Sequence, residues 1–130
     1  MLEVLETCIY AQDLEAIRSF YENIVGLECF LFKPPSLAFF KAGRGVFLVF
    51  NPDASENLEK LPPHGARGSV HVCFKVKEDN VPAWKVKFEK LGYETYNATW
   101  KDGKKSFYVY DPAGNLVEFA PPTIWGLKDD

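Results

Sequence analysis

The chain has 130 residues, 47% of them apolar, 15% aromatic and 25% charged, with a formal net charge of −3 and a pI near 5.4. That composition can build a hydrophobic core and excludes a disordered or collagen-like polymer, and the length favours one compact unit or two small modules sharing a core. No basic run offers a footprint for nucleic acid, and the longest uninterrupted apolar stretch, Val46 to Phe50, is far too short to cross a bilayer. Met1-Leu2-Glu3-Val4 lacks the basic and then apolar pattern of a secretory leader. The three cysteines, Cys8, Cys29 and Cys73, form an odd count, so reduced thiols in a cytoplasmic protein are the expectation.

In chain order, a strand-like stretch from Leu2 to Tyr10 comes first. The spacing of Leu14, Ile17, Phe20 and Ile24 then predicts a helix, with Asp13 as N-cap and Gly26 as a left-handed stop. Strands follow at Glu28 to Lys33, Leu37 to Lys41 and Val46 to Phe50, punctuated by Pro34-Pro35 and Gly43-Arg44-Gly45. After a polar, Pro/Gly-rich connector from Asn51 to Gly68, a strand at Val70 to Val76 leads to a second helical period, Val81, Trp84, Phe88 and Leu91. Asn80 is its expected cap, Pro82 sits in the first turn, and Gly92 ends it. Strands at Tyr93 to Trp100, Ser106 to Tyr110 and Leu116 to Ala120 complete the chain, broken by Asp102-Gly103 and Asp111-Pro112-Ala113-Gly114-Asn115.

The order β-α-β-β-β therefore occurs twice, and Glu6-Thr7-Cys8-Ile9-Tyr10 lies over His71-Val72-Cys73-Phe74-Lys75. The expected fold class is α+β: two βαβββ modules forming a curled mixed-sheet cup with the helices outside. Module one covers 1–52, the linker 53–68, module two 69–120 and a C-terminal tail 121–130. The tail's Ile124, Trp125 and Leu127 have no obvious core to fill, which suggests a dimer interface.

Strand alternation sorts the side chains by face. Val70, Val72, Phe74 and Val76 suit packing on a helix, as do Leu5 and Ile9. His71, Cys73 and Lys75 point the other way, as do Glu6 and Cys8, while Leu116, Glu118 and Ala120 share one face of the last strand. A carboxylate amid apolar strand residues is costly to bury unless it is paired or bound to metal. Glu6, His71 and Glu118 are thus candidate metal ligands if their faces line one concavity, although a solvated rim glutamate would explain Glu118 as well.

These residues resemble a known family. Leu5-Glu6 with Asp13-Leu14, Phe20-Tyr21 and Gly26-Leu27 is similar to the opening of the vicinal-oxygen-chelate superfamily, the glyoxalase, bleomycin-resistance and extradiol-dioxygenase group. His71-Val72-Cys73-Phe74-Lys75-Val76 resembles its His-x-x-Phe-x-Val strand. Tyr110-Asp111-Pro112-Ala113-Gly114-Asn115-Leu116-Val117-Glu118 resembles its Asp-Pro-x-Gly-Asn turn and closing glutamate strand. The resemblance implies metal ligands at His71 and Glu118. At the first ligand position, usually histidine, Glu6 stands instead. Two carboxylates and one neutral imidazole balance a divalent ion (Mn, Fe, Mg or Zn), with oxygen-rich ligation favouring the harder ions.

The fourth ligand of the glyoxalase I branch falls on Leu48, or on Phe47 with a one-residue shift. Either is apolar, so that activity is not expected. Fosfomycin-modifying relatives carry a tyrosine matched by Tyr108, but Cys8 stands at their threonine position, and no arginine follows the last strand. Extradiol dioxygenases are mostly longer and use a His-His-Glu triad. The resemblance also implies a homodimer in which Glu6 of one chain meets His71 and Glu118 of the other.

The expected function is a metal-dependent lyase, isomerase or oxygenase acting on a small oxygen-chelating substrate. The alternative is a metal-free small-molecule or drug-binding protein. Cys8, Cys73, Trp100 and Tyr108 are candidate substrate-lining residues, and Tyr108 and His64 candidate acid-base groups. Solvated loop positions are the plainer expectation for His64, Arg67, Lys104 and Lys105.

Overall fold

A computed structural model describes all 130 residues and divides them into two units, 1–70 with 111–115 and 71–110 with 116–130. Each unit is built on a four-stranded mixed sheet with a helix on one face, as an α+β chain of duplicated modules requires.

In the first unit the strands are β1 (Glu6–Tyr10), β2 (Glu28–Lys33), β3 (Leu37–Ala42) and β4 (Gly45–Phe50), in the order β1-β4-β3-β2. β1 runs parallel to β4, with Glu6 opposite Val46 and Cys8 opposite Leu48; the other pairs are antiparallel. α1 (Leu14–Arg18) starts as the sequence predicts, with the Asp13 carboxylate accepting from the Ala16 N–H at 3.1 Å. It continues as a π-helical segment, Ser19–Ile24, whose wider turn brings the consecutive rings of Phe20 and Tyr21 into the core together. Tyr21 meets Phe47 at 4.9 Å and Phe40 at 5.8 Å, and Ile9, Ile17, Ala38 and Val49 fill the same layer. Full burial of each large side chain contributes about 1.5–3 kcal/mol. Leu5 does not join them: it precedes β1 and is 71% exposed, its carbonyl accepting from the Val46 N–H. The connector opens with a short helix, α2 (Pro52–Ser55), capped by the Asn51 side chain on the Asp53 N–H at 3.0 Å.

The Asp111–Asn115 turn belongs to this unit as a buried polar knot. One Asp111 carboxylate oxygen accepts from the Ala113 and Asn115 N–H groups at 2.8 and 2.9 Å. The other accepts from the Tyr21 hydroxyl at 2.7 Å and the Asn115 amide at 3.0 Å. Asn115 also donates to the Tyr10 carbonyl at 3.0 Å and accepts from the Val70 N–H at 3.2 Å. Gly114 takes a positive φ of 82°, which glycine adopts without steric cost. Asn115 acts through its side chain, and its own φ is not positive. Burial, reinforced by the Asp111 charge, holds the Tyr21 phenol well above its ordinary pKa, so it remains a donor.

In the second unit β5 (His71–Lys75), β6 (Tyr96–Thr99), β7 (Lys105–Tyr110) and β8 (Leu116–Ala120) repeat the order as β5-β8-β7-β6, with β5 parallel to β8. α3 (Val81–Lys90) packs through Trp84 and Phe88. Phe119 is the hub, with Phe88 at 5.2 Å, Phe107 stacked at 5.2 Å and Trp84 stacked at 5.3 Å. Asn80 does not cap α3 with its side chain. A 3₁₀ turn at Glu78–Asn80 precedes the helix, so Asn80 is already in helical geometry rather than the extended conformation that an N-cap side chain needs. Leu91 is 54% exposed because the helix ends at Lys90 and Gly92 reverses the chain with φ 89°. β6 is shorter than the pattern suggests. Tyr93 is drawn instead to the helix end, its N–H on the Phe88 carbonyl at 3.0 Å and its ring edge-on to Phe88. No helix is long and apolar enough to cross a membrane, and all three cysteines are free.

The knot gives a stability test. Asp111→Ala strands four donors and should cost roughly 3 kcal/mol or more, whereas Tyr21→Phe, which removes one bond to a carboxylate, should cost about 1.5–3 kcal/mol. Urea denaturation of both variants measures the difference, and equal or negligible losses would mean that the knot does not hold the fold.

Candidate metal centre

The register of the second sheet assembles the polar cluster. Glu118 on β8 lies opposite Cys73 on β5 and opposite Tyr108 on β7, so these three residues form one row across the face turned away from α3. His71 is two residues before Cys73, on the same face, with its ring 5.9 Å from that of Tyr108.

Two contacts define the state of His71. Its Nδ1 lies 2.9 Å from the Leu116 carbonyl oxygen, an atom that only accepts. Nδ1 therefore carries the proton in neutral imidazole, and Nε2 presents a lone pair. That Nε2 lies 3.3 Å from Glu118 Oε1. A lone pair facing a carboxylate oxygen is repulsive, and the clash is relieved only by a proton or a metal cation between them. Glu118 is 4% exposed, and its second oxygen, Oε2, is buried with no hydrogen-bond partner. An orphaned carboxylate oxygen beside an imidazole lone pair is a donor set that fits a divalent cation.

The neighbours stay protonated. The atoms packed around the Cys73 sulfur, with the Glu118 charge adding, push its thiol up to about 12, although part of the residue remains open to solvent. Burial and then the Glu118 charge also raise the Tyr108 phenol. Both are candidate donors toward the carboxylate or toward a ligand held beside it, and neither is a ready nucleophile.

Glu6 belongs to the first unit, where it is exposed on the face of β1 away from α1, together with Cys8 and Tyr10. It begins the β1–β4 ladder opposite Val46 as His71 begins the β5–β8 ladder opposite Leu116. No group of three His, Cys, Asp or Glu side chains is placed to hold a metal ion within the single chain. The same registers fix the repeat equivalent of Glu118: Cys8, Leu48 and Phe39 form the row that matches Cys73, Glu118 and Tyr108. Leu48, rather than Phe47, stands at the fourth position, since Phe47 packs on the helix side against Tyr21.

Other candidates are placed differently from the plain reading. His64 is not a free loop side chain: its Nδ1 lies 2.7 Å from the Tyr10 hydroxyl, and its ring is edge-on to Phe50 at 4.7 Å. Cys8 donates to the same hydroxyl at 3.7 Å, and burial first, then Cys8, pushes the Tyr10 phenol up to about 12. Tyr10 is therefore the partner that sequence spacing missed, because the connector's path back onto the sheet leaves no periodic signal. Trp100 is anchored by its indole N–H on Ser106 at 2.8 Å and leans on Trp125 at 5.6 Å. Arg67 is paired with Asp53 and Glu56 at 2.8 and 3.0 Å. Lys104 is paired with Glu78 at 3.0 Å, and Lys105 donates to Thr99 at 2.8 Å.

Comparison with known proteins agrees with this architecture. The chain is 30% identical over 120 residues to the metallothiol transferase FosB of Lysinibacillus sphaericus, an alignment covering 90% of this chain and 80% of that one. The crystal structure of a lactoylglutathione lyase from Agrobacterium tumefaciens superposes with a TM-score of 0.92 at 39% identity, covering 96% of this chain and 97% of that chain. A virulence protein from Salmonella typhimurium shares the fold with a TM-score of 0.70 at 18% identity, covering 93% and 97%. A family model matches residues 3–119, nearly the whole span of the two repeated sheets. By that match and the twice-used βαβββ order, the chain belongs to the Glyoxalase/Bleomycin resistance protein/Dioxygenase superfamily.

Proposed function

We propose that this protein is a metal-dependent enzyme acting on a small substrate that chelates through two oxygens, with Glu6, His71 and Glu118 as the ligand set. The observation that carries the reading is the buried, partnerless Oε2 of Glu118 beside Nε2 of His71, the ring nitrogen left to a ligand once Nδ1 bonds the Leu116 carbonyl. Burying a carboxylate costs several kcal/mol, on the order of 3–5 when its charge is left uncompensated. A chain that only needed to fold would place a leucine there, as it does at Leu48 in the first sheet.

When bound, a divalent ion at this site supplies Lewis-acid polarisation of the substrate oxygens. The protein's own groups do the rest. The Leu116 carbonyl orients His71, burial keeps water from most of the Glu118 carboxylate, and Tyr108 and Cys73 offer protonated donors to a ligand at the mouth of the site. Glu6 completes the set from a second copy of the chain across a two-fold axis, and Trp125 and Leu127, both exposed, suit such an interface. A cytoplasmic location belongs to the same reading.

The reaction named for the Agrobacterium tumefaciens lyase is not carried over, because Leu48 is apolar at the position where that branch has a fourth ligand. Phosphonate chemistry is not carried over either: Cys8 stands at the threonine position, and Pro121 to Leu127 contains no arginine.

Elemental analysis of native protein and of His71→Ala tests the reading. Stoichiometric divalent metal that is lost in the variant supports the enzyme; metal-free native protein supports the binding-protein alternative. Metal retention should also fall in acid, because neutral imidazole and ionised carboxylates are the ligating forms. Retention that stayed flat down to about pH 4 would remove His71 from the set.

Glu118→Gln is expected to abolish metal binding and, in chelator-treated protein, to raise unfolding free energy by about 1–3 kcal/mol, since an amide N–H then faces the His71 lone pair. A loss of stability in that variant would contradict the clash described above.

Mixing Glu6→Ala chains with His71→Ala chains should partly restore metal binding, because a shared arrangement leaves one site intact in the mixed dimer. No recovery after demonstrated subunit exchange would assign each site to a single chain.

A further inference from the structure

The two sheets differ on their helix sides as well, and the difference opens a cleft. Pairing relates Phe32, opposite Ala38 on β3, to Asn97, opposite Phe107 on β7, because Ala38 faces Val49 as Phe107 faces Phe119. The fifth residues of the two helices, Arg18 in α1 and Lys85 in α3, correspond likewise. In the first unit the Arg18 guanidinium lies over the Phe32 ring, 4.8 Å from its centroid, and is paired with Glu22 at 3.1 Å, so the gap between helix and sheet is filled. In the second unit the same two positions hold Lys85 and the shorter, polar Asn97. A cavity of about 510 Å³ remains, within the roughly 300–1,000 Å³ range of small-molecule sites.

The walls of that cavity have a defined chemistry. Val81, Pro82 and Phe107 give it an apolar side. Glu78 and Lys104, on its rim, neutralise each other at 3.0 Å, with Thr123 also donating to Glu78 at 2.6 Å. Lys105 is held in place by its bond to Thr99 at 2.8 Å. Lys85 is half-buried and has no ion-pair or hydrogen-bond partner. Lys85 and Lys105 therefore face a single opposing charge, Asp102, which leaves the cleft cationic over an apolar floor. A cavity of about 410 Å³ lined by Tyr10, Gln12 and Arg67 in the first unit lacks this bias, because its Arg67 is spent on Asp53 and Glu56.

We infer that this cleft is a second ligand site, independent of the His71–Glu118 centre, for a small anion carried on a short apolar body: a carboxylate or phosphate attached to an aromatic or aliphatic group. The anion meets Lys85 and Lys105, Asn97 and Thr99 supply hydrogen-bonding groups, and the apolar body lies on Val81, Pro82 and Phe107. The site lies on the helix side of the second sheet, whereas His71 and Glu118 occupy the opposite face, so its occupancy does not require the metal.

The test uses phenyl phosphate as probe and phenol as its neutral counterpart, titrated into isotope-labelled full-length protein and followed by amide NMR. Saturable shifts are expected around residues 81–85 and 97–107 with phenyl phosphate, a much weaker response to phenol, and no change in this pattern in His71→Ala. Lys85→Met should weaken binding at least about tenfold. The double change Lys85→Arg with Asn97→Phe, which installs the first unit's pair, should abolish it. If the double variant does not fold, Lys85→Met alone carries the comparison. Equal responses to phenol and phenyl phosphate would overturn the anion assignment. Shifts confined to the neighbourhood of His71 and lost in His71→Ala, or no saturable shift at all, would overturn the site.

Discussion

A buried carboxylate with four donors, that of Asp111, is the constraint on which much of the structure rests. Its bonds to the Ala113 and Asn115 N–H groups close the turn before β8, and its bond to the Asn115 amide holds that side chain rigid. Asn115 then grips the N–H of Val70, one residue before β5, and the carbonyl of Tyr10, the last residue of β1. The starts of β5 and β8 are thereby set, and the parallel register that places Glu118 opposite Cys73 follows from them. A one-residue slip would turn Glu118 into the helix-side core and Phe119 onto the other face. The polar knot thus acts on the candidate metal centre through register.

The two sheets use one plan for two purposes. Both place a helix on one face through aromatic side chains, and both pair their first and last strands in parallel. On the opposite face they diverge. The first sheet crosses its centre with Cys8, Leu48 and Phe39, the second with Cys73, Glu118 and Tyr108. Leucine there stabilises; glutamate there costs free energy unless a cation accompanies it. Duplication therefore supplies a scaffold that is stable in either copy, and the substitution of a few positions on that face decides which copy carries charge. The exchange of Phe32 for Asn97 on the helix side has the same form: a filled layer in one repeat becomes a cleft in the other.

Protonation binds these features to chemistry. The Leu116 carbonyl fixes which ring nitrogen of His71 turns to Glu118: Nδ1 bonds the carbonyl, and Nε2 lies 3.3 Å from the carboxylate. Burial first, and then the negative charge of Glu118, raises both the Cys73 thiol and the Tyr108 phenol. A cation held at Glu118 would lessen the charge part of that upward pressure and would thereby couple loading of the site to the acidity of its rim.

By itself the sequence determined the duplicated βαβββ order, the bounds of β2 and β8, the cap at Asp13 and the stops at Gly26 and Gly92, because periodicity, capping and positive-φ demands are local. It also determined that His71 and Glu118 lie on the face away from α3, since strand alternation is local too, and it carried the motifs that mark the family. Only the tertiary structure decided which carboxylate oxygen is left without a partner, which nitrogen of His71 is free, that Leu48 and not Phe47 matches Glu118, that Asn115 works through its side chain, and that His64 is held by Tyr10. Each of these depends on groups distant in sequence whose separation is set by strand register and by the path of the connector. Residue patterns along the chain encode which face a side chain takes; they do not encode the few tenths of an ångström that separate a hydrogen bond from an orphaned atom.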